Sequence, residues 1–208
     1  VNGSPARSGR DTILARIATA LADRPAAAPV PREYRPAGAV PGVDLLDLLT
    51  DRLVDYRAEV QRCAADAAAG RIGELLGNRP VVVPAGFPAE LLTEVSQWRT
   101  DDPPLTVAEL DAAGGALSTC ALAIAETGTL VLDAGPGQGR RAVTLVPDYH
   151  LAVVRADQVV FNVPDGIERL AGSRTLTWIS GPSATSDIEL ARVEGVHGPR
   201  TLVVLLVE

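Results

Sequence analysis

Only two cysteines occur in the 208 residues, Cys63 and Cys120, far apart and without a C-x-x-C pair. Neither a thiolate zinc site nor an iron–sulfur cluster can therefore be built from this chain alone, and buried free thiols are the simpler expectation. Aromatic residues are 3% of the chain, too few for extended base-stacking surfaces. Basic residues number 19 against 26 acids, the net charge is −7, and the arginines form no long run. Phosphate-backbone binding needs clustered positive charge, so no nucleic-acid partner is expected. Long apolar runs are missing too: Arg16 interrupts "TILARIATALA", and nowhere do about eighteen apolar residues follow one another. No membrane span is expected, and with non-adjacent cysteines this predicts a cytoplasmic protein in a reducing compartment.

Against these absences stands a hydrophobic content of 47%, enough for a substantial core. Residues 11–22 place Ile13, Leu14, Ile17 and Leu21 at helical spacing, which predicts a short amphipathic helix. Pro25, Pro29, Pro31, Pro36 and Pro41 then forbid helix over 23–42 and predict an extended arm. The chain thus divides into an N-terminal helix and Pro-rich arm, 1–42, and a domain, 43–208.

The domain reads as α/β. Residues 43–59 pattern as a helix, "VQRCA" as a short strand, and 65–78 as a second helix closed at Gly77 or Asn78. "PVVVPAG" fits a buried parallel strand, and 88–98 returns to helix. Alternating strands and helices point to βαβ units. Further on, "LTVAELDAAGGAL" is helical up to its glycine pair, and "CALAIAETGTLVLD" predicts two apolar strands around a Glu-Thr-Gly turn. A glycine-rich bend, "AGPGQGRR", a strand "HLAVVRA", a helix "PDGIERLAG", a strand "TLTWIS" and a closing strand "TLVVLLV" complete the chain. Function is expected on the polar loops that join these strands.

Three of those loops carry candidate chemistry. In "ISGPSATSDIELARVEGVHGPR", Ser186 and Glu189 form a capping box that needs no ligand. Ser180, Ser183 and Thr185 add hydroxyls ahead of it, however, and polar side chains are costly to bury unpaired. The expectation is a strand-to-helix turn over 180–189, facing the "ETGT" hairpin and holding an anion at a helix N-terminus. At that hairpin Glu126 is either a solvated strand-end acid or, if buried, a base or nucleophile, with Thr127 and Thr129 beside a Gly128 that admits close approach. Asp148 and His150, two apart, share a side if their strand starts early enough; a structural hydrogen bond is the more common outcome. His197, among glycines and a proline, reads as a turn residue. Two histidines lack the helical i,i+4 spacing of a zinc protease, so no metal is expected. "GPGQGRR" has neither the spacing nor the lysine of a phosphate-binding P-loop and reads as a flexible turn with surface arginines.

"AIAETGTLVL", "LVPDYHLAVV", "ISGPSATSDIE" and "GVHGPRTLVVLL", in this order and spacing, resemble the LUD-domain family, and within it the lactate utilization protein C group. The resemblance spans roughly 43–208 and is strongest after Leu117. It implies an open mixed sheet flanked by helices, of the kind shared by sugar-phosphate isomerases (NagB, RpiA), CoA transferases and folate cyclo-ligases. It further implies a part in oxidizing L-lactate to pyruvate beside partner proteins that carry iron–sulfur clusters, this chain carrying no cofactor of its own. The residues it singles out are Glu126 and His150 as catalytic candidates. As ligand-binding candidates it marks Thr127, Gly128, Thr129, Ser180, Gly181, Ser183, Thr185, Asp187, Glu189 and His197, the ligand being a small carboxylate or phosphate. Three functions stand: an accessory, cluster-free subunit of a lactate-oxidizing system, an autonomous enzyme on a phosphorylated or CoA-linked acid, and a small-anion binding module.

Overall fold

A computed structural model describes residues 8–23, 28–33, 38, 42–170, 172, 175–185, 193–194 and 197–208. The chain divides into two compact units, Val1–Arg35 and Pro36–Glu208. In the first, α1 (Gly9–Ala20) is capped by Ser8, whose hydroxyl accepts from the Asp11 N–H. Its apolar stripe of Ile13, Leu14 and Ile17, with Leu21 just beyond, is exposed. Residues 28–33 of the arm form no regular element, as five prolines require; Pro25, Pro36 and Pro41 lie outside the described residues.

The second unit begins with α2 (Leu45–Asp55), whose first N–H groups are capped by the Asp44 carboxylate. The helix stops short of the predicted residue 59 because Arg57 turns left-handed, at φ 67°, and launches β1 (Glu59–Cys63). Next come α3 (Ala68–Leu76) and β2 (Val81–Val83), both as predicted. The predicted helix over 88–98 is instead one 3-10 turn, Ala89–Leu92, followed by β3 (Trp98–Thr100). The open edge of β2 overrides local preference there, since pairing with β3 satisfies its backbone groups. After α4 (Val107–Asp111), with its Thr106–Glu109 capping box, β4 (Gly115–Thr119) runs straight into the hairpin of β5 (Leu122–Ile124) and β6 (Thr129–Leu132). Then follow α5 (Arg141–Leu145), β7 (Tyr149–Arg155), β8 (Val159–Val160), α6 (Val163–Arg169), β9 (Thr177–Ile179), β10 (Ala184–Thr185), β11 (Val193–Glu194) and β12 (Thr201–Val207).

The result is an α/β fold with two principal sheets. The larger has the order β1-β12-β7-β4-β2-β3, every pair parallel. Mixed strand directions are confined to the smaller sheet, β8-β5-β6-β9. Buried β12 shows why the layers form: Leu202, Val204 and Leu206 pack toward α2 and the smaller sheet, while Val203 and Leu205 pack toward α3. A strand apolar on both sides must be covered on both. Among the described residues no helix is long and apolar enough to cross a membrane.

The glycine-rich bend is a built element rather than a flexible turn. Gly137 donates to the Ala85 carbonyl and accepts from the Thr119 N–H, so the loop sits across the C-terminal ends of β2 and β4. Gln138 accepts from the Asp133 N–H, and Arg140 grips Asp101 through two hydrogen bonds of 2.7 and 2.9 Å and the Leu105 carbonyl at 2.6 Å. Burial alone raises the Asp101 pKa, but the Arg140 and Leu105 hydrogen bonds outweigh it and hold the carboxyl below its ordinary range. Replacing Asp101 by Asn should cost about 1–3 kcal/mol in urea unfolding, the range for a charge-assisted bond. Asp157→Asn, which breaks the exposed pair with Arg155, should cost no more than about 1 kcal/mol. Equal losses would show that the bend does not depend on its buried anchor.

Candidate functional site

The sequence-derived candidates converge, in part, on the N-terminal ends of β7 and β12. His150, second residue of β7, is 1% exposed, and its Nε2 lies 2.8 Å from the hydroxyl of Ser118 on β4. Its neighbour in register on β12 is Leu202. The ring lines a cavity of about 250 Å³, together with Arg141 of α5, Trp178 of β9, Ser180, Ser183 and His197. Ser118 is fully buried and does not line that cavity, so its hydroxyl orients the imidazole from behind instead of meeting a ligand. No described residue bonds Nδ1, the other ring nitrogen. Burial pushes the His150 pKa down to about 4, which keeps the ring neutral at neutral pH.

The hydroxyls expected to need a ligand find one another. Thr127 Oγ1 meets Thr129 Oγ1 at 2.8 Å, and Thr129 Oγ1 meets Ser180 Oγ at 2.8 Å, a relay that joins the hairpin to the loop after β9. Ser183 Oγ accepts from the His197 N–H at 2.8 Å, and the Ser183 N–H donates to the Pro199 carbonyl. Ser180 therefore faces the hairpin as predicted, Ser183 turns instead to the 197–199 segment, and these polar groups are satisfied within the chain. Beyond Ser183 the chain enters strand β10, paired antiparallel with β11, and the helix start predicted at Ser186 lies outside the described residues. Asp187, Glu189 and the Ser186–Glu189 capping box lie outside the described residues.

Two glycines set this geometry. Gly128, at φ +58°, and Gly181, at φ +83°, each lie against the C-terminal turn of α2: a Cβ would come within 2.8 Å of Arg52 or 2.6 Å of Tyr56. Both the hairpin turn and the site loop thus rest on one helix. Alanine at Gly181 combines a disfavoured left-handed backbone with a backbone clash, and should destabilise the protein by about 2–4 kcal/mol in urea titration. A loss below about 0.5 kcal/mol would mean that the loop does not bear on α2.

Glu126 does not line the cavity; it is half-buried at the hairpin, and its N–H donates to the Phe161 carbonyl. Asp148 is not the partner of His150. It is exposed and bonded through both carboxylate oxygens to Arg200 Nε at 2.8 and 2.9 Å, which holds its pKa below the ordinary range. The two residues diverge because β7 starts only at Tyr149, leaving Asp148 in the preceding turn. Ser118 and Arg141 escaped sequence reasoning. The signal for Ser118 was a hydroxyl pair, Ser118 and Thr119, inside the otherwise apolar run "GALSTCALAIA"; Arg141 was hidden in a loop read as flexible.

A second cavity, about 510 Å³, opens at the opposite end of the sheet and is lined by Thr119, Gln138, Arg155, Gln158 and Arg169 among others. Open α/β sheets commonly bind ligands at that C-terminal edge. Here, though, its polar groups are already engaged: Arg155 with Asp157, Arg169 with the Asp157 carbonyl, and Gln158 with the Cys120 carbonyl and the Arg155 N–H. Cys120 beside it is an inert thiol, burial raising its pKa to about 12. Among the described residues no group of three His, Cys, Asp or Glu side chains is placed to hold a metal ion.

Comparison with known proteins completes this picture. The LUD domain family matches residues 106–207. Lactate utilization protein C of Deinococcus radiodurans is 48% identical over 201 residues, covering 94% of this chain and 93% of that protein. The protein of the same name from Shouchella clausii is 31% identical over 55% of this chain and 52% of its own length. A crystal structure of a DUF162 family protein from Deinococcus radiodurans superimposes with a TM-score of 0.70 at 44% identity, over 79% of this chain and 96% of that one. The chain belongs to the LUD-domain family.

The depressed His150 pKa has a testable sign. Unfolded, the ring titrates near its ordinary value of 6.5 and the folded ring only near 4. The contribution to stability is therefore complete above about pH 6.5 and is lost as pH falls toward 4, at up to about 1.4 kcal/mol per pH unit. Between about pH 7 and pH 5 the wild type should lose about 2 kcal/mol more than His150→Gln in urea titrations. Parallel pH profiles would show that the ring is not held neutral.

Proposed function

We propose that this chain serves lactate utilization as a cluster-free subunit, acting with iron–sulfur partner proteins in the oxidation of L-lactate to pyruvate. The observation that carries this reading is 48% identity, along nearly the full length of both chains, to lactate utilization protein C of Deinococcus radiodurans. The cysteine inventory supports it: Cys63 is half-buried, Cys120 is fully buried, and both are free thiols. Electrons leaving lactate would then pass to clusters on other polypeptides. The cavity of His150, Ser180, Gly181, Ser183 and His197 is the ligand site of this subunit, with Thr127, Gly128 and Thr129 supporting Ser180 from behind. Glu126, outside the cavity lining, has no assigned part in it.

Deleting the gene should abolish growth on L-lactate while growth on pyruvate persists, and the tagged chain should co-purify from lactate-grown cells with a protein rich in C-x-x-C motifs. The purified chain alone should be colourless and should not oxidize lactate with artificial electron acceptors. Full growth of the deletion strain on lactate, or oxidation by the isolated chain, overturns the proposal.

A further inference from the structure

We infer that the cavity at the N-terminal edge of the larger sheet binds a small 2-hydroxy or 2-oxo monocarboxylate, its carboxylate held by the Arg141 guanidinium and its 2-oxygen hydrogen-bonded by the His150 ring. This rests on the lactate-utilization reading and deepens it, naming a ligand class and two binding residues.

Size comes first. A volume of about 250 Å³ lies below the ordinary range of roughly 300–1,000 Å³ for sites that enclose drug-sized molecules. A three-carbon acid fits within it. Charge comes second. Arg62, Arg71, Arg140, Arg155 and Arg200 each hold a carboxylate, but Arg141 forms no ion pair among the described residues. Among the described residues it is the only guanidinium lining this cavity, and a guanidinium fork suits a carboxylate's two oxygens. Trp178, Ile179 and Leu202 supply an apolar wall for a short alkyl group.

The His150–Ser118 pair then explains why a 2-oxygen is expected in either oxidation state. A neutral imidazole carries one N–H and one lone pair, and a hydroxyl can donate or accept. When the Ser118 hydroxyl donates to Nε2, Nδ1 carries the proton and can donate to a keto oxygen. When Ser118 accepts from Nε2–H, Nδ1 presents a lone pair to a ligand hydroxyl. One buried pair thus serves both the alcohol and the ketone with no net charge entering the core. The second cavity lacks this freedom, since its side chains already bond one another.

The test is calorimetric titration of the purified protein with L-lactate, pyruvate, propionate and inorganic phosphate. Lactate and pyruvate should bind within a fewfold of each other. Propionate, lacking the 2-oxygen, should bind about tenfold more weakly, and phosphate should not compete. Arg141→Gln, at an exposed position that should tolerate exchange, should weaken both acids at least about tenfold. Ser118→Ala removes the reversible partner while keeping His150 and should shift the lactate-to-pyruvate affinity ratio severalfold. Equal affinity for propionate and lactate, preference for phosphate, an unchanged ratio in Ser118→Ala, or undiminished binding by Arg141→Gln overturns the assignment. If the deletion strain cannot use lactate but the protein binds neither acid, this inference falls and the lactate-utilization reading stands. Acid binding by a chain whose deletion leaves lactate growth intact upholds the inference and overturns that reading.

Discussion

The contact on which the site depends is steric: two glycine turns pressed against the last turn of α2. Gly128 ends the hairpin that forms the smaller sheet, and Gly181 opens the loop that walls the cavity. Since α2 packs Leu49 and Leu53 against the same core as Val204 and Leu206 of β12, the helix transmits the position of the larger sheet to both turns. The hydroxyl relay Thr127–Thr129–Ser180 then ties the two turns to each other. Interiors packed at near-crystalline density admit little slack, so these contacts leave the cavity wall few alternative positions.

A second consequence of the architecture is the placement of the cavity. The bend around Gly137 lies over the ends of β2 and β4, where the chain reverses its progress across the sheet, and its backbone groups bond to Ala85 and Thr119. That edge is where open α/β sheets usually accept ligands. In this chain its side chains and backbone are largely committed to one another, while Arg141, which forms no ion pair among the described residues, lies at the opposite edge beside His150.

How much of this could be read beforehand depended on the range of the interactions involved. Apolar runs such as "TLVVLLV" and "PVVVPAG" identify buried strands because every residue repeats the same message, and the hairpin around "ETGT" is local. β3 was unreadable for the opposite reason: its residues turn extended only because β2 offers an unpaired edge. Ser180, Ser183 and His150 were legible as polar residues out of place, although who satisfies them was not. Thr129 is 51 residues from Ser180, and Ser118 is 32 from His150. Arg141 was legible as a surface arginine, but nothing in "GQGRR" distinguishes it, on the cavity rim, from its neighbour buttressed by Asp101. A lone histidine beside an aspartate invited a pairing that the start of β7, one residue later, prevents.

The immobility of the His150 ring has a thermodynamic side. A flexible side chain that closes on a ligand gives up about 0.5–1.5 kcal/mol of rotamer freedom in doing so. His150, buried except where it meets the cavity and bonded through Nε2, surrenders that freedom when the chain folds, before any encounter takes place. For a molecule of only a few atoms, whose total attraction to a protein is small, such preorganisation separates measurable affinity from none. It also makes the response to solution conditions one-sided: protonating the ring requires loosening the core around it, so acid acts on the imidazole through the fold and not through simple titration.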